Sequence, residues 1–183
     1  MFRSPFPPIL STLATAAPYH LLLYSLVFGT TTFQSFYNGI VAFKTLPYEH
    51  FSALQSKIFP PYFAFQTAAA VVLLLTPPVS FASSIVLAKN LSLGIAAVGG
   101  AANTFYFGPQ SRVVMAKRRE QVAIEGKPHN DPTASETMKK INKEFGKIHG
   151  LSVLFNLGTF LGLAAYGVIL SDGFLSLAAK SLK

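Results

Sequence analysis

Residues 148–170 read IHGLSVLFNLGTFLGLAAYGVIL, an apolar run with no Asp, Glu, Lys or Arg. Roughly 20 residues of helix cross a hydrocarbon core of about 30 Å, so this stretch is long enough to span a bilayer. Leu21 to Phe43, Ile58 to Thr76 and Leu91 to Phe107 are equally free of those four residue types. The expected fold is therefore all-α: a four-helix transmembrane bundle with a short interfacial helix and a cytosolic helical hairpin. The chain divides into an N-terminal segment (1–18), a membrane domain (19–170, with the hairpin at 108–147) and a C-terminal tail (171–183).

Composition points the same way. The 183 residues are 51% hydrophobic and only 12% charged, too few charges for the mixed surface of a soluble domain. The net charge of +8 could suggest nucleic acid. The basic residues flank the apolar runs instead of lining one soluble face, however, so the lipid bilayer and its anionic headgroups are the expected partners and nucleic acid is not. With no cysteine, disulfides, thiolate metal sites and a Cys nucleophile are excluded.

At the N-terminus, Arg3 followed by Pro5, Pro7 and Pro8 has the charge sign of a signal peptide, but the prolines interrupt its apolar region. Cleavage after Ala16 or Ala17 is an alternative to the preferred reading, in which the run from Leu21 is a signal anchor. With four crossings, 44–57 and 108–147 share one side and hold 11 Lys and Arg. The other side holds Arg3, Lys89, Lys180 and Lys183. The positive-inside rule then places both basic loops in the cytosol and both termini on the opposite face.

The loops carry structure of their own. Phe51, Leu54 and Ile58 recur at helical spacing beside Lys57, which predicts a short amphipathic helix on the membrane surface, with Lys44, Gln55 and Lys57 at the interface. Pro60 and Pro61 are expected to end it and start the second span. In the hairpin, the third span should continue to Glu125 and stop at Gly126, and Asp131 should cap a new helix that carries Pro132 in its first turn. Lys117, Arg118 and Arg119 form a basic patch for lipid or a protein partner.

Certain residues resemble a known family. Leu46-Pro47, Gln55-Ser56-Lys57 with Phe59-Pro60, then Asn103, Pro109 and Met115, and His149-Gly150-Leu151-Ser152 with Asn156-Leu157 resemble the transmembrane protein 205 family over about residues 20 to 165. The resemblance implies a four-span eukaryotic membrane protein of endomembrane or surface compartments, without an established enzymatic mechanism; the endoplasmic reticulum or another endomembrane is the expected location, and a mitochondrial presequence would need more Arg than Arg3.

Amides in hydrocarbon need partners. Gln34, Asn38, Gln66, Asn103 and Asn156 all fall within about 14 Å of the basic side, counted at 1.5 Å per residue, and should face one another. Together with His149 and Ser152 they form the candidate intramembrane pocket, read either as interhelical hydrogen bonding or as a polar cavity open to the cytosol. No catalytic set is recognisable: Ser152 has no acid at a suitable spacing, the histidines lack metal-ligand spacing, and no cofactor or metal site is expected. Gly158 and Gly162 in the fourth span, and Ala96 and Gly100 in the third, mark close helix packing, within the bundle or at a homodimer seam. Two function classes stay open. The favoured one is a structural or adaptor membrane protein working through its basic hairpin; the alternative is a small-solute transporter, channel or lipid-binding bundle.

Overall fold

A computed structural model describes residues 8–182, and these are helical almost throughout. Arg3 and Lys183, two of the charges used to orient the chain, lie outside the described residues, as do Pro5 and Pro7. A short helix, α1 (Pro8–Leu13), precedes α2 (Ala17–Phe33), which runs through a π turn at Gln34–Asn38 into α3 (Gly39–Thr45). Helix α4 covers Tyr48–Leu75, and α5 (Ser83–Ala102) passes through a second π turn, Asn103–Phe107, into α6 (Gly108–Glu125). Helix α7 runs unbroken over Glu136–Ser181, 46 residues or about 69 Å, more than twice a hydrocarbon core.

Among the described residues, Tyr48–Leu75, Ser83–Glu125 and Glu136–Lys180 are long and apolar enough to cross a membrane. The helix carrying the expected first span is not among these three, because Thr30–Thr32, Gln34, Ser35 and Asn38 dilute its apolar character. Phe105, Val168 and Leu75 are each more than two-thirds exposed, an outward apolar surface suited to lipid and not to water.

Three local expectations are corrected. The residues assigned to an interfacial helix are the first turns of α4, which continues through Pro60 and Pro61. Prolines in a helix interior leave carbonyls one turn back without donors, and such carbonyls are tolerated in a span where the backbone borders a cavity. The residues one turn back from these prolines, Ser56 and Lys57, line one. Helix α5 begins at Ser83 instead of Leu91, so Lys89 lies within it, its stem buried and its Nζ 6.0 Å from the Phe81 ring centroid. In the hairpin, Gly126 ends α6 with φ of 62°, as its position predicts. The cap of α7 is Ser135 and not Asp131: Ser135 Oγ accepts from the Met138 N–H at 3.1 Å, while Asp131 Oδ1 closes a turn with the Thr133 N–H at 2.7 Å. Ser135 also donates to Glu125 Oε1 at 2.5 Å, tying the two arms of the hairpin together.

The apolar core sits at the end away from the hairpin, where Val27, Leu73, Leu93, Leu163 and Tyr166 are fully buried. There α5 and α7 touch through their small residues. A Cβ on Gly162 would lie 2.5 Å from the Ser92 carbonyl oxygen, so only glycine permits this approach. Gly99 meets Thr159 and Phe155, and Gly100 meets Thr67. The small-residue faces are thus occupied within one chain.

Candidate functional site

Both π turns lie where the sequence places amides in the membrane, and their residues repeat: Gln34-Ser-Phe-Tyr-Asn-Gly39 and Asn103-Thr-Phe-Tyr-Phe-Gly108. A π turn widens the helix by one residue and frees backbone groups from the regular ladder, a feature common at functional sites. The second is locked by the Gly108 N–H donating to the Asn103 carbonyl, which would lie 2.6 Å from any Cβ on Gly108.

Beside these turns is a cleft of about 1280 Å³ between α3, α4, α6 and α7. One polar cluster stands beneath it. Gln66 Nε2 lies 2.9 Å from Thr31 Oγ1, 2.8 Å from Tyr62 OH and 3.1 Å from Asn156 Oδ1. Tyr62 OH donates to Asn156 Oδ1 at 2.9 Å, and Asn156 Nδ2 donates to Ser35 Oγ at 2.7 Å. A smaller cluster joins Asn38 Nδ2 to Gln34 Oε1 at 2.8 Å, and Gln34 Nε2 reaches Gln55 Oε1 at 3.5 Å. Asn103 stands apart, donating to the Ser152 carbonyl at 3.1 Å.

The expected pocket residues therefore separate into a floor and a wall. Gln34, Asn103, His149, Ser152 and Asn156 line the cleft, whereas Gln66 is fully buried below it and Asn38 is held against Gln34. Of the interfacial set, Gln55 turns inward and Lys57 stands on the cleft wall, while Lys44 is exposed outside it. The basic triplet does not form one surface, because consecutive helical residues point about 100° apart. Lys117 faces Glu144 at 3.5 Å and Arg119 borders the cleft. Arg118 is buried, 3.1 Å from Tyr48 OH, with its guanidinium 4.2 Å from the Phe145 ring centroid. His129 stacks on Tyr48 at 4.3 Å, and burial followed by the Arg118 charge holds it below the ordinary imidazole range.

Sequence reasoning passed over Arg112, Tyr62, Thr31 and Ser35. The repeated six-residue pattern at the π turns was the available signal for Ser35, an i, i+7 relation to Arg119 was the signal for Arg112, and Tyr62 and Thr31 had none. Among the described residues no cluster of metal-ligating side chains occurs.

Comparison with known proteins sets the family. A domain of unknown function, DUF4149, matches residues 22–120. The chain is 30% identical over 170 residues to a protein of Aspergillus fumigatus named xanthocillin biosynthesis cluster protein D, covering 92% of this chain and 97% of that protein. No solved structure matches. The chain belongs to the DUF4149 family. This finding overturns the resemblance to the transmembrane protein 205 family, to which nothing in the comparisons points.

Proposed function

We propose that this DUF4149 protein is a membrane-embedded four-helix bundle, with the α2–α3 helix as its fourth crossing, whose cleft binds a small amphipathic molecule. The observation that carries the reading is the cleft itself. Pockets for small molecules run to about 300–1,000 Å³ and combine apolar walls with a few placed polar groups. Here Phe36, Phe59, Phe63 and Phe160 supply walls, and Gln34, Asn103 and Asn156 supply polar groups. The adaptor reading is weakened, since Arg118 is buried and Lys117 is paired with Glu144. The basic loops orient the cleft mouth toward the cytosol. The fungal relative is named for xanthocillin biosynthesis, a setting that a small-molecule-holding membrane protein fits.

The chain has no cysteine, so a single introduced thiol reports on one position. Ser152→Cys should react with a membrane-impermeant maleimide from the cytosolic side only, and a single-chain amphiphile should protect it. A thiol there that reacts at the same rate with and without every amphiphile tested would reject the reading.

A further inference from the structure

The cleft's charge is one-sided. Its lining includes Lys57, Arg112, Arg118, Arg119, His129 and His149 and contains no Asp or Glu. A cavity whose charged side chains, Lys57 and the three arginines, are all cations concentrates an anion in a low-dielectric setting and repels other cations. Arg112 and Arg119 are spaced i and i+7 on α6, two turns apart on one face, with Met115 between them on the same wall. Both are exposed within the cleft, and neither has a carboxylate partner among the described ion pairs.

Unpartnered atoms strengthen the charge argument. Gln55 and Arg118 both border the cleft and are more than nine-tenths buried, yet Gln55 Nε2 and Arg118 Nε have no acceptor. A buried donor left unmade costs about 1–3 kcal/mol, so such groups are normally satisfied. Two orphan donors beside a carboxylate-free wall call for acceptor oxygens from outside the chain. Asn103 Oδ1, also buried and unpartnered, calls for a donor such as a hydroxyl. The wall of Phe36, Phe43, Phe51, Phe59 and Phe160 offers a free ion no contact and suits an apolar chain.

Resting on the small-molecule reading above, the geometry points to a ligand with one anionic phosphate-type headgroup on an apolar chain. Its headgroup meets Arg112, Arg119 and Lys57, its chain lies along the phenylalanines, and Gln55 and Arg118 supply further donors. Arginine suits this role because its planar fork pairs two donors with two phosphate oxygens.

The test uses the full chain carrying Ser152→Cys in phosphatidylcholine nanodiscs, with maleimide labelling as the readout. Three probes are compared: lysophosphatidic acid, lysophosphatidylcholine of the same chain length, and inorganic phosphate. Lysophosphatidic acid should protect the thiol at a concentration roughly tenfold or more below that needed for lysophosphatidylcholine, the scale of one charge-assisted contact. Inorganic phosphate alone should give no protection. Adding Arg112→Gln with Arg119→Gln should erase the preference by raising the lysophosphatidic acid requirement to that of lysophosphatidylcholine, and Arg112→Lys with Arg119→Lys should keep part of it. Equal protection by the two lysolipids would overturn the anionic headgroup and leave amphiphile binding standing. Protection by inorganic phosphate at the same concentration would make this a free-anion site and overturn the amphiphile. No protection by either lysolipid would remove the small-molecule reading and this inference together.

Discussion

Around Gly162 helices α5 and α7 meet backbone to backbone, whereas two to four turns nearer the hairpin the same α7 stands off from α3 and α4 and leaves about 1280 Å³ open. The closed end holds fully buried Val27, Leu73, Leu93 and Leu163; the open end holds amides, arginines and exposed aromatics. The difference lies in residue size and hydrogen-bonding need. Glycine and alanine let helices approach, while a wide π turn with amide side chains holds them apart and demands partners. Stability should therefore reside at the closed end and ligand recognition at the open one.

The sharpest way to break that division is to add one methyl group at each end of the seam. Gly162→Ala places a Cβ 2.5 Å from the Ser92 carbonyl, a backbone atom that cannot rotate away. It should cost about 3 kcal/mol, the upper part of the overpacking range, and lower the melting temperature in detergent markedly. Gly158→Ala, one turn toward the cleft, meets only Ile95 Cγ2 at 3.8 Å and should melt within error of the parent. Equal losses would mean that the seam does not tighten toward the closed end.

Next in size is the contrast between two amides. Asn156→Leu removes an acceptor of Tyr62 and Gln66 and the donor to Ser35, leaving the fully buried Gln66 amide and the Tyr62 hydroxyl short of a partner. The expected loss is about 2 kcal/mol. Asn103→Leu gives up a single bond to the Ser152 carbonyl and also removes an orphaned oxygen, so its loss should be under about 1 kcal/mol. If Asn103→Leu proves the more damaging in the same thermal assay, Asn103 belongs to the structural floor and not to the binding wall.

A smaller effect tests whether the hairpin is a stable part of the open end. Ser135→Ala deletes the cap of α7 and the hydroxyl's bond to Glu125 Oε1, while its backbone N–H keeps Glu125 Oε2, and should cost about 1 kcal/mol, seen as faster hydrogen exchange over residues 126–138. Unchanged exchange there would show that the backbone bond to Glu125 and packing by Met138 hold the two arms without the hydroxyl.

How far these features were legible depends on their physical range. Apolar runs and the glycine stop at Gly126 follow from local chemistry, and so does the helical hairpin. That the amides would need partners was legible too, but their division into two clusters with Asn103 apart on the Ser152 carbonyl was not. Continuity of α4 through Pro60 and Pro61 was not, since it depends on a cavity formed by distant helices. The inward turn of Arg118 was likewise hidden: it is set by Tyr48 and Phe145, 70 and 27 positions away in the chain. Charge in sequence reads as solvated surface until the partners that bury it are known.

Those partners also set the smallest predicted effect. His129 stacks on Tyr48, and burial and the neighbouring Arg118 lower its proton affinity below that of a free imidazole, near 6.5. A depressed imidazole binds fewer protons when docked than when undocked, so docking gains stability with rising pH. That contribution is complete above about pH 6.5 and fades as the pH falls through the window beneath it. Exchange over residues 127–131, corrected for intrinsic rates, should thus quicken between about pH 7.5 and 5.5. His129→Phe keeps the stack and removes the titration, so its corrected exchange should be flat over the same interval. A parent protein that is flat as well would place His129 in contact with water in both states and free the Tyr48–Arg118 side of the cleft from any dependence on it.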